Sequence, residues 1–195
     1  VGEDSIIVIP DSIEGLPVRE IGESAFSGGV VRAIYIPDSV ESIAQGAVDG
    51  CEGLSTLRLP FVGDGEESLY IGYIFGADSY ENHPLSVPVS LDMVLLGNGV
   101  EKIEKNAFAG CKSLFTVTLP EGAKITDLPS EVFLDCVALE QILLSASLQT
   151  VGYDAFMGCT ALQKAFYPES ESYFKEHVIV GLGNDLLTAV LQCGK

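Results

Sequence analysis

The sequence predicts a single β-dominated α/β repeat solenoid built around one parallel sheet of about seven strands. Three observations lead to this fold class. A strand-like segment recurs seven times along the 195 residues, a second motif rich in Ala, Phe, Gly and Cys follows most copies, and the commonest step between copies is 23 residues. One unit of this length cannot bury its own apolar face, whereas stacked units bury a continuous core.

The first recurring segment is an alternating apolar run that ends in a turn residue. It is clearest as IIVIP at 6–10, AIYIP at 33–37, TLRLP at 56–60 and TVTLP at 116–120, with weaker copies at 93–97, 141–145 and 164–168. Alternation places one set of side chains toward a core and the other set outward. Proline after a strand ends the hydrogen-bond ladder, so each segment is predicted to be one strand of the sheet.

The second motif is predicted to form the wall opposite the sheet. Full copies read AFAGC at 107–111 and AFMGC at 155–159, and variant copies lie at 25–28, 47–51 and 132–136. A leucine follows the cysteine by three residues in four copies, namely Leu54, Leu114, Leu139 and Leu162. The phenylalanine supplies a large ring for the core, and the glycine allows a tight turn back toward the sheet.

The longest step between strands, 37 residues, carries an insertion at 77–89. The segment 71–76 looks like a shortened copy of the wall motif, and turn-forming residues with two prolines follow it. Such a composition predicts a surface loop.

The repeat pattern changes after Pro168. Two β-prone runs, 178–180 and 186–191, flank a glycine-rich turn at 181–185, which predicts a C-terminal β-hairpin within 169–195. The rival interpretation is a helix over 170–177. The hairpin is favoured, with at most a short helical turn before it.

The quoted motifs resemble the BspA-type leucine-rich repeats of bacterial surface proteins. The first half of that pattern is clearest at 34–43 and the second half at 155–162, and the resemblance runs from about residue 5 to 168. Val48 departs from it where Phe is usual, and Gly29 where Cys is usual. The resemblance implies a right-handed superhelix, a cell-surface or extracellular location, and a non-enzymatic role in binding or adhesion. We therefore expect one domain over 1–195, a fragment of a longer array.

The charge balance excludes several function classes. Ten basic and 28 acidic residues give a net charge of −18, whereas binding to nucleic acid or to anionic lipid needs a basic surface. The sequence lacks a run of 18 apolar residues, so membrane insertion is not expected. Its acidic start does not read as a signal peptide, so secretion is inferred only from the resemblance.

The residues that could carry chemistry favour a structural interpretation. Cys51, Cys111, Cys136 and Cys159 share one repeat position, so their side chains would stack in parallel and could not form disulfides, while Cys193 near the end is expected to be more exposed. Neither His83 nor His177 lies in a motif for nucleophilic catalysis. Two acidic turns, at 64–67 and 78–82, lack the spacing of a calcium loop. Neither an enzymatic activity nor a cofactor or metal is expected.

The outward positions of the strands are the predicted binding surface. Two positions before each terminal residue lie Val8, Tyr35, Arg58, Leu95, Thr118, Leu143 and Phe166, and four positions before lie Ile6, Ala33, Thr56, Met93, Thr116, Gln141 and Lys164. From these two rows the ligand-binding residues on the concave face are predicted to be Tyr35, Arg58, Met93, Leu95, Thr118, Leu143 and Phe166. The inserted loop is predicted to supply a rim through Asp78, Tyr80, Glu81 and His83. An exposed apolar patch with a basic edge is typical of an interaction site.

The predicted partner is a host or microbial surface protein or a glycan. Two alternatives stay open at this stage. Flanking loops or a partner domain could cover the outward residues, and the repeats could be a spacer that displays another domain of a longer surface protein. Homo-association through the array ends is a further interpretation, because the ends of a solenoid expose apolar surface.

Overall fold

The computed structural model describes residues 6–64, 70–120 and 122–194. Its main feature is a parallel sheet of eight strands, one more than the seven repeats predict. In spatial order the strands are Ile6–Val8, Ala33–Tyr35, Thr56–Leu59, Met93–Leu96, Thr116–Thr118, Gln141–Leu143, Lys164–Tyr167 and Leu191–Cys193. Spatial order follows chain order throughout, as the stacking of successive turns requires.

The register of this sheet matches the predicted rows. Ile6 lies beside Ala33, Ala33 beside Thr56, and the row continues through Met93, Thr116, Gln141 and Lys164. The second row runs from Val8 through Tyr35, Arg58, Leu95, Thr118 and Leu143 to Phe166 and ends at Gln192. The residues between the two rows point inward: Ile34, Leu57, Val94, Val117, Ile142 and Ala165 are all 0% exposed.

The wall opposite the sheet has its own ladder of hydrogen bonds between turns. The Phe26 N–H donates to Ala47 O, Phe108 N–H to Val132 O and Phe133 N–H to Ala155 O, over 2.9–3.0 Å. The rings of Phe108, Phe133 and Phe156 stack with centroids 5.3 and 5.2 Å apart. Each unit thus bonds mainly to its neighbours, at the sheet and at the wall.

Short elements connect the sheet to the wall. The strands Asp127–Leu128, Thr150–Val151 and Ile179–Val180 form a second parallel sheet, Glu20–Ile21 pairs in parallel with Ser42–Ile43, and Ser12–Ile13 pairs antiparallel with Leu16–Pro17. A 3-10 helix spans Ile71–Phe75, and α-helices span His83–Ser86, Glu171–His177 and Asp185–Ala189.

The insertion confirms the shortened wall segment predicted at 71–76. The Gly46 N–H donates to Tyr73 O and the Val48 N–H to Ile74 O, so the 3-10 helix takes the place of an Ala-Phe segment in the wall. The loop that follows contains the short helix His83–Ser86, which the sequence did not predict.

The predicted C-terminal hairpin is wrong. Ile179–Val180 adds to the second sheet beside Thr150–Val151, and Leu191–Cys193 adds to the main sheet beside Lys164–Tyr167, both in parallel. Each sheet already offers an unpaired strand edge, so the two segments pair with the preceding turn rather than with each other. The last segment therefore forms an eighth turn of the solenoid.

The rival helical interpretation of 170–177 is confirmed in its essentials. The Ser170 side chain caps the helix Glu171–His177 by accepting the Tyr173 N–H over 3.2 Å. Phe174 is buried against Tyr167, with ring centroids 5.0 Å apart, while the other helix residues are exposed. Because Phe174 is the one buried residue of this helix, the segment lacks the recurring apolar positions of an amphipathic helix, and the sequence pattern for a helix was weak.

Candidate binding surface

The two outward rows form one continuous face of the main sheet, here called the outer face. Tyr35, Arg58, Met93, Leu95 and Thr118 are half-buried by their neighbours in this face. Leu143 and Phe166 are more open, at 37% and 40% exposure. The structure thus brings the seven predicted sheet residues together on one surface.

A groove of about 480 Å³ crosses the outer face at its first turns. Val8, Tyr35 and Pro37 supply its apolar lining, and Asp38 and Arg58 supply charge. Val8 is the most open of these, with 69% of its surface exposed. The groove combines an aromatic ring, aliphatic groups and a fixed ion pair, the kinds of group that anchor protein contacts.

Arg58 is held in place rather than free. Its guanidinium donates to Ile36 O over 2.5 Å and to Asp38 Oδ1 over 2.8 Å. Gly97 makes room for this pair, because a Cβ at that position would overlap the Asp38 carboxylate. The side chains of Arg58 and Asp38 remain 26% and 37% exposed, so a bound partner can still reach the remaining guanidinium donors.

The inserted loop does not join the outer face. Pro84, Leu85 and Val89 line a separate apolar groove of about 370 Å³, together with Gly110 and Leu114. Leu114 and its counterpart Leu91 precede their strands, so this groove lies where the chain passes from wall to sheet. It shares no lining residue with the groove at Tyr35 and Arg58.

The predicted rim residues fall into two groups. Asp78, Tyr80 and Glu81 are exposed, as a surface loop requires. His83 is not, since only 1% of its surface is accessible, which corrects its assignment to an exposed rim. Its backbone packs against Gly72, where even a Cβ would come within 2.5 Å of His83.

The buried imidazole of His83 has no hydrogen-bond partner at either ring nitrogen within the part of the chain that the structure describes. The Tyr70 ring lies beside it, with centroids 5.5 Å apart. Burial lowers the pKa of His83 to about 4, and the nearby backbone of Asn106 raises this pKa by a smaller amount. The uncharged side chain therefore serves as a packing group.

The cysteines are structural, as the repeat position predicts. Cys51, Cys136 and Cys159 donate their thiol hydrogens to the carbonyls of Phe26, Phe108 and Phe133 in the preceding turn, over 2.9–3.1 Å. All five cysteines are free thiols, and Cys193 is the more exposed one.

The electrostatics of the thiols fit this structural role. Burial raises the pKa of Cys111 and of Cys159 to about 12, and raises that of Cys136 well above its usual range. A thiol is nucleophilic as its thiolate, so these three groups are inert at neutral pH.

The residues with described positions contain no group of three or more His, Cys, Asp or Glu side chains placed to hold a metal ion. No helix among them is long and apolar enough to cross a membrane. Of the two predicted acidic turns, Glu66 and Glu67 lie outside the described residues, and Asn82 contacts Asp78 over 3.5 Å in the other.

Two polar features escaped the sequence interpretation. Asn184 is 2% exposed and accepts the Phe156 N–H, the bond that a backbone carbonyl of the next turn accepts elsewhere in the wall. Tyr173 and His177 stack with ring centroids 4.0 Å apart on the surface of the helix Glu171–His177. In the sequence, the i, i+4 spacing of Tyr173 and His177 could have indicated their stacking on a helix. No sequence pattern around Asn184 indicated its hydrogen bonds to the wall.

Comparison with known proteins places these observations in context. The sequence matches the family described as BspA type leucine rich repeat region in six copies, over residues 6–64 and 88–190. No curated protein matches it.

Several solved structures are similar to the chain. A leucine-rich repeat protein of T. pallidum is 29% identical, with 83% of this chain and 79% of that chain covered and a TM-score of 0.41. A leucine-rich cell surface protein of Faecalibacterium prausnitzii is 21% identical, with coverages of 89% and 62% and a TM-score of 0.40. The pneumococcal vaccine antigen PcpA is 14% identical, with coverages of 92% and 66% and a TM-score of 0.40. The chain spans less than two thirds of the latter two.

Proposed function

The chain belongs to the BspA-type leucine-rich repeat family, and on this premise we propose that it is a non-enzymatic module that binds a protein partner through the outer face of its main sheet. The partner would be a host or microbial surface protein, met outside the bacterial cell, as the family resemblance implies. The observation that carries the proposal is the outer face itself, where apolar and aromatic side chains remain accessible along successive turns.

The shape of the outer face favours a protein over a glycan as its partner. Eight strands spaced by about 4.8 Å give a face roughly 34 Å long, which exceeds a short saccharide and suits a broad protein surface. The two aromatic residues of the face, Tyr35 and Phe166, are separated by four strands that carry aliphatic or polar groups, whereas saccharide sites combine aromatic faces with dense polar groups. Each turn contributes one or two contacts, and a rigid stack lowers the entropy lost on binding.

The chemistry of the reactive side chains supports a non-catalytic role. The wall thiols have pKa values well above neutrality, and the imidazole of the buried His83 has no hydrogen-bond partner among the described residues. A nucleophile needs an adjacent base and an open pocket. The proposed function therefore rests on surface contact alone.

A binding assay with paired variants tests the proposal. The purified chain is applied to immobilised matrix proteins and mucins. The outer-face variant combines Tyr35→Ser, Leu95→Ser and Phe166→Ser, and a matched control combines Val137→Ser, Tyr153→Ser and Met157→Ser, which are exposed apolar residues outside the outer face. We expect the outer-face variant to lose at least about tenfold in affinity while the control binds like the wild type.

The opposite result contradicts the proposal. If the control variant loses binding and the outer-face variant keeps it, the contact surface lies elsewhere. If the wild-type chain binds none of the immobilised proteins, the spacer function becomes the better account. Thermal unfolding of all three proteins shows that any loss of binding is not a loss of fold.

A further inference from the structure

A third groove, of about 510 Å³, lies between the second sheet and the helix Glu171–His177. Its floor includes the segment Ser147–Thr150, and Thr150 stands between Asp127 and Ile179 in the register of that sheet. Tyr173 and His177 form one side. None of its lining residues belongs to the outer face, so the groove is independent of the surface in the proposed function.

The aromatic side of this groove is fixed in position. The rings of Tyr173 and His177 are nearly parallel, with an interplanar angle of 15° and centroids 4.0 Å apart. His177 Nδ1 lies 3.0 Å from the carbonyl oxygen of Tyr173. Because a carbonyl only accepts, Nδ1 carries the hydrogen, and in the uncharged ring Nε2 is left as an acceptor. Tyr173 remains 41% exposed, so the stack presents ring surface to solvent.

The polar side of the groove combines free and preorganised groups. Gln149 and Ser147 are exposed, and their side chains make no hydrogen bond to any described residue. Next to them, the hydroxyls of Thr126 and Thr150 both donate to the Asp127 carboxylate, which lowers the pKa of Asp127. The groove thus sets an amide and hydroxyls opposite the aromatic stack, and Asp127, which is not part of the lining, holds the hydroxyls of Thr126 and Thr150 in place.

We propose that this groove binds a neutral saccharide, with a sugar ring against Tyr173 and its hydroxyls bonded to Gln149, Thr126 and Thr150. A pyranose has an apolar C–H face that packs on an aromatic ring, and hydroxyls that both donate and accept. Lys175, the basic residue between the two rings in sequence, is already paired with Glu171. With that cation engaged and Asp127 charged, sialylated or sulfated sugars are disfavoured.

The test is titration of the intact chain with defined oligosaccharides. The neutral probes are maltotetraose, the tetramer of N-acetylglucosamine, mannotriose and N-acetyllactosamine, and the charged probes are 3′-sialyllactose and a sulfated heparin disaccharide. Binding is followed by NMR through the ring resonances of Tyr173 and His177, up to about 10 mM probe, which covers affinities weaker than 1 mM. We expect at least one neutral probe to shift both rings.

Variants locate the contact. Tyr173→Ala is expected to weaken binding roughly tenfold. Gln149→Ala, which replaces an exposed side chain and leaves the fold intact, is expected to weaken it several-fold. Tyr153→Ala removes a tyrosine that is 61% exposed outside this groove and is expected to change nothing. Thermal unfolding verifies the fold of each variant.

Three results overturn the proposal: no neutral probe shifts the two rings, binding persists unchanged in both Tyr173→Ala and Gln149→Ala, or a charged probe binds in preference. None of these three results bears on binding at the outer face, so a failure of the saccharide proposal is distinguishable from a failure of the proposed function.

Discussion

Asn184 joins the last two turns of the wall through its side chain. Its Oδ1 accepts the Phe156 N–H over 3.2 Å, and its Nδ2 donates to Gly152 O over 2.7 Å and to Gly181 O over 2.9 Å. In earlier turns a backbone carbonyl of the next copy of the wall motif accepts the equivalent N–H. One amide thus replaces a missing motif and satisfies backbone groups that would otherwise be buried without partners.

Replacing Asn184 tests this role. We expect Asn184→Ala to lower the free energy of unfolding by roughly 2–4 kcal/mol, because a buried donor and a buried acceptor both lose their partner. Chemical denaturation measures the change. Asn98→Ala, at an exposed position, is the control and should stay within about 0.5 kcal/mol of the wild type. A similar small effect at Asn184 would mean that solvent satisfies these backbone groups.

At the scale of elements, the insertion packs most closely on the wall at Gly72. Gly72 in the 3-10 helix touches the backbone of His83, which leads the short helix of the loop. An added methyl at Gly72 would come within 2.5–2.6 Å of Cα, Cβ and the carbonyl oxygen of His83. Backbone atoms cannot swing aside, so the helix His83–Ser86 would have to move.

We therefore expect Gly72→Ala to destabilise the chain by about 1–3 kcal/mol and to expose the insertion to protease. Gly22→Ala is the matched control, because a Cβ there meets no atom within 4 Å. Limited proteolysis with mapped cleavage sites and thermal unfolding measure both effects. Equal behaviour of the two variants would show that the insertion is not docked through Gly72.

The buried imidazole of His83 makes the same element sensitive to pH. Its pKa falls from 6.5 to about 4 on folding, so the unfolded chain binds more protons between these values. Stability is therefore lost as the pH falls below about 6.5, and the loss reaches about 2 kcal/mol between pH 7 and pH 5. His83→Leu removes this pH-dependent contribution. We therefore expect the free energy of unfolding of the variant, relative to that of the wild type, to rise by about 2 kcal/mol between pH 7 and pH 5. Parallel loss of stability in both proteins would contradict the assignment.

The elements also show where sequence patterns stop being informative. The strands were predictable because each copy carries its own alternation and its own turn residue. The final segment was not, because its partners are the open edges of two earlier strands, Thr150–Val151 and Lys164–Tyr167, rather than its own neighbouring run. His83 was placed at the rim for a similar reason: its burial depends on Gly72, and no local pattern links the two positions.

At the scale of the whole molecule, the stacking of repeats brings residues at a regular spacing in the sequence together on one continuous surface. The two outward rows could be predicted residue by residue, because a parallel in-register sheet places equivalent positions of successive repeats side by side. The groove beside Tyr173 could not, because it places Tyr173, in a helix that the sequence pattern did not favour over a hairpin, beside Thr150 of the second sheet. The outer face and this groove share no lining residue, so the two proposed classes of partner would bind at separate surfaces.

The two methionines of the chain provide the most direct test of the central claim, that the outer face is the contact surface. Met93 lies on the outer face and is partly buried, while Met157 lies on the wall and is 54% exposed. Peroxide oxidises each thioether at a rate set by its accessibility, and peptide mass spectrometry reads both in one sample. With a bound matrix protein or mucin, we predict that oxidation of Met93 slows several-fold while that of Met157 is unchanged. Protection of Met157 with Met93 unaffected would contradict the account.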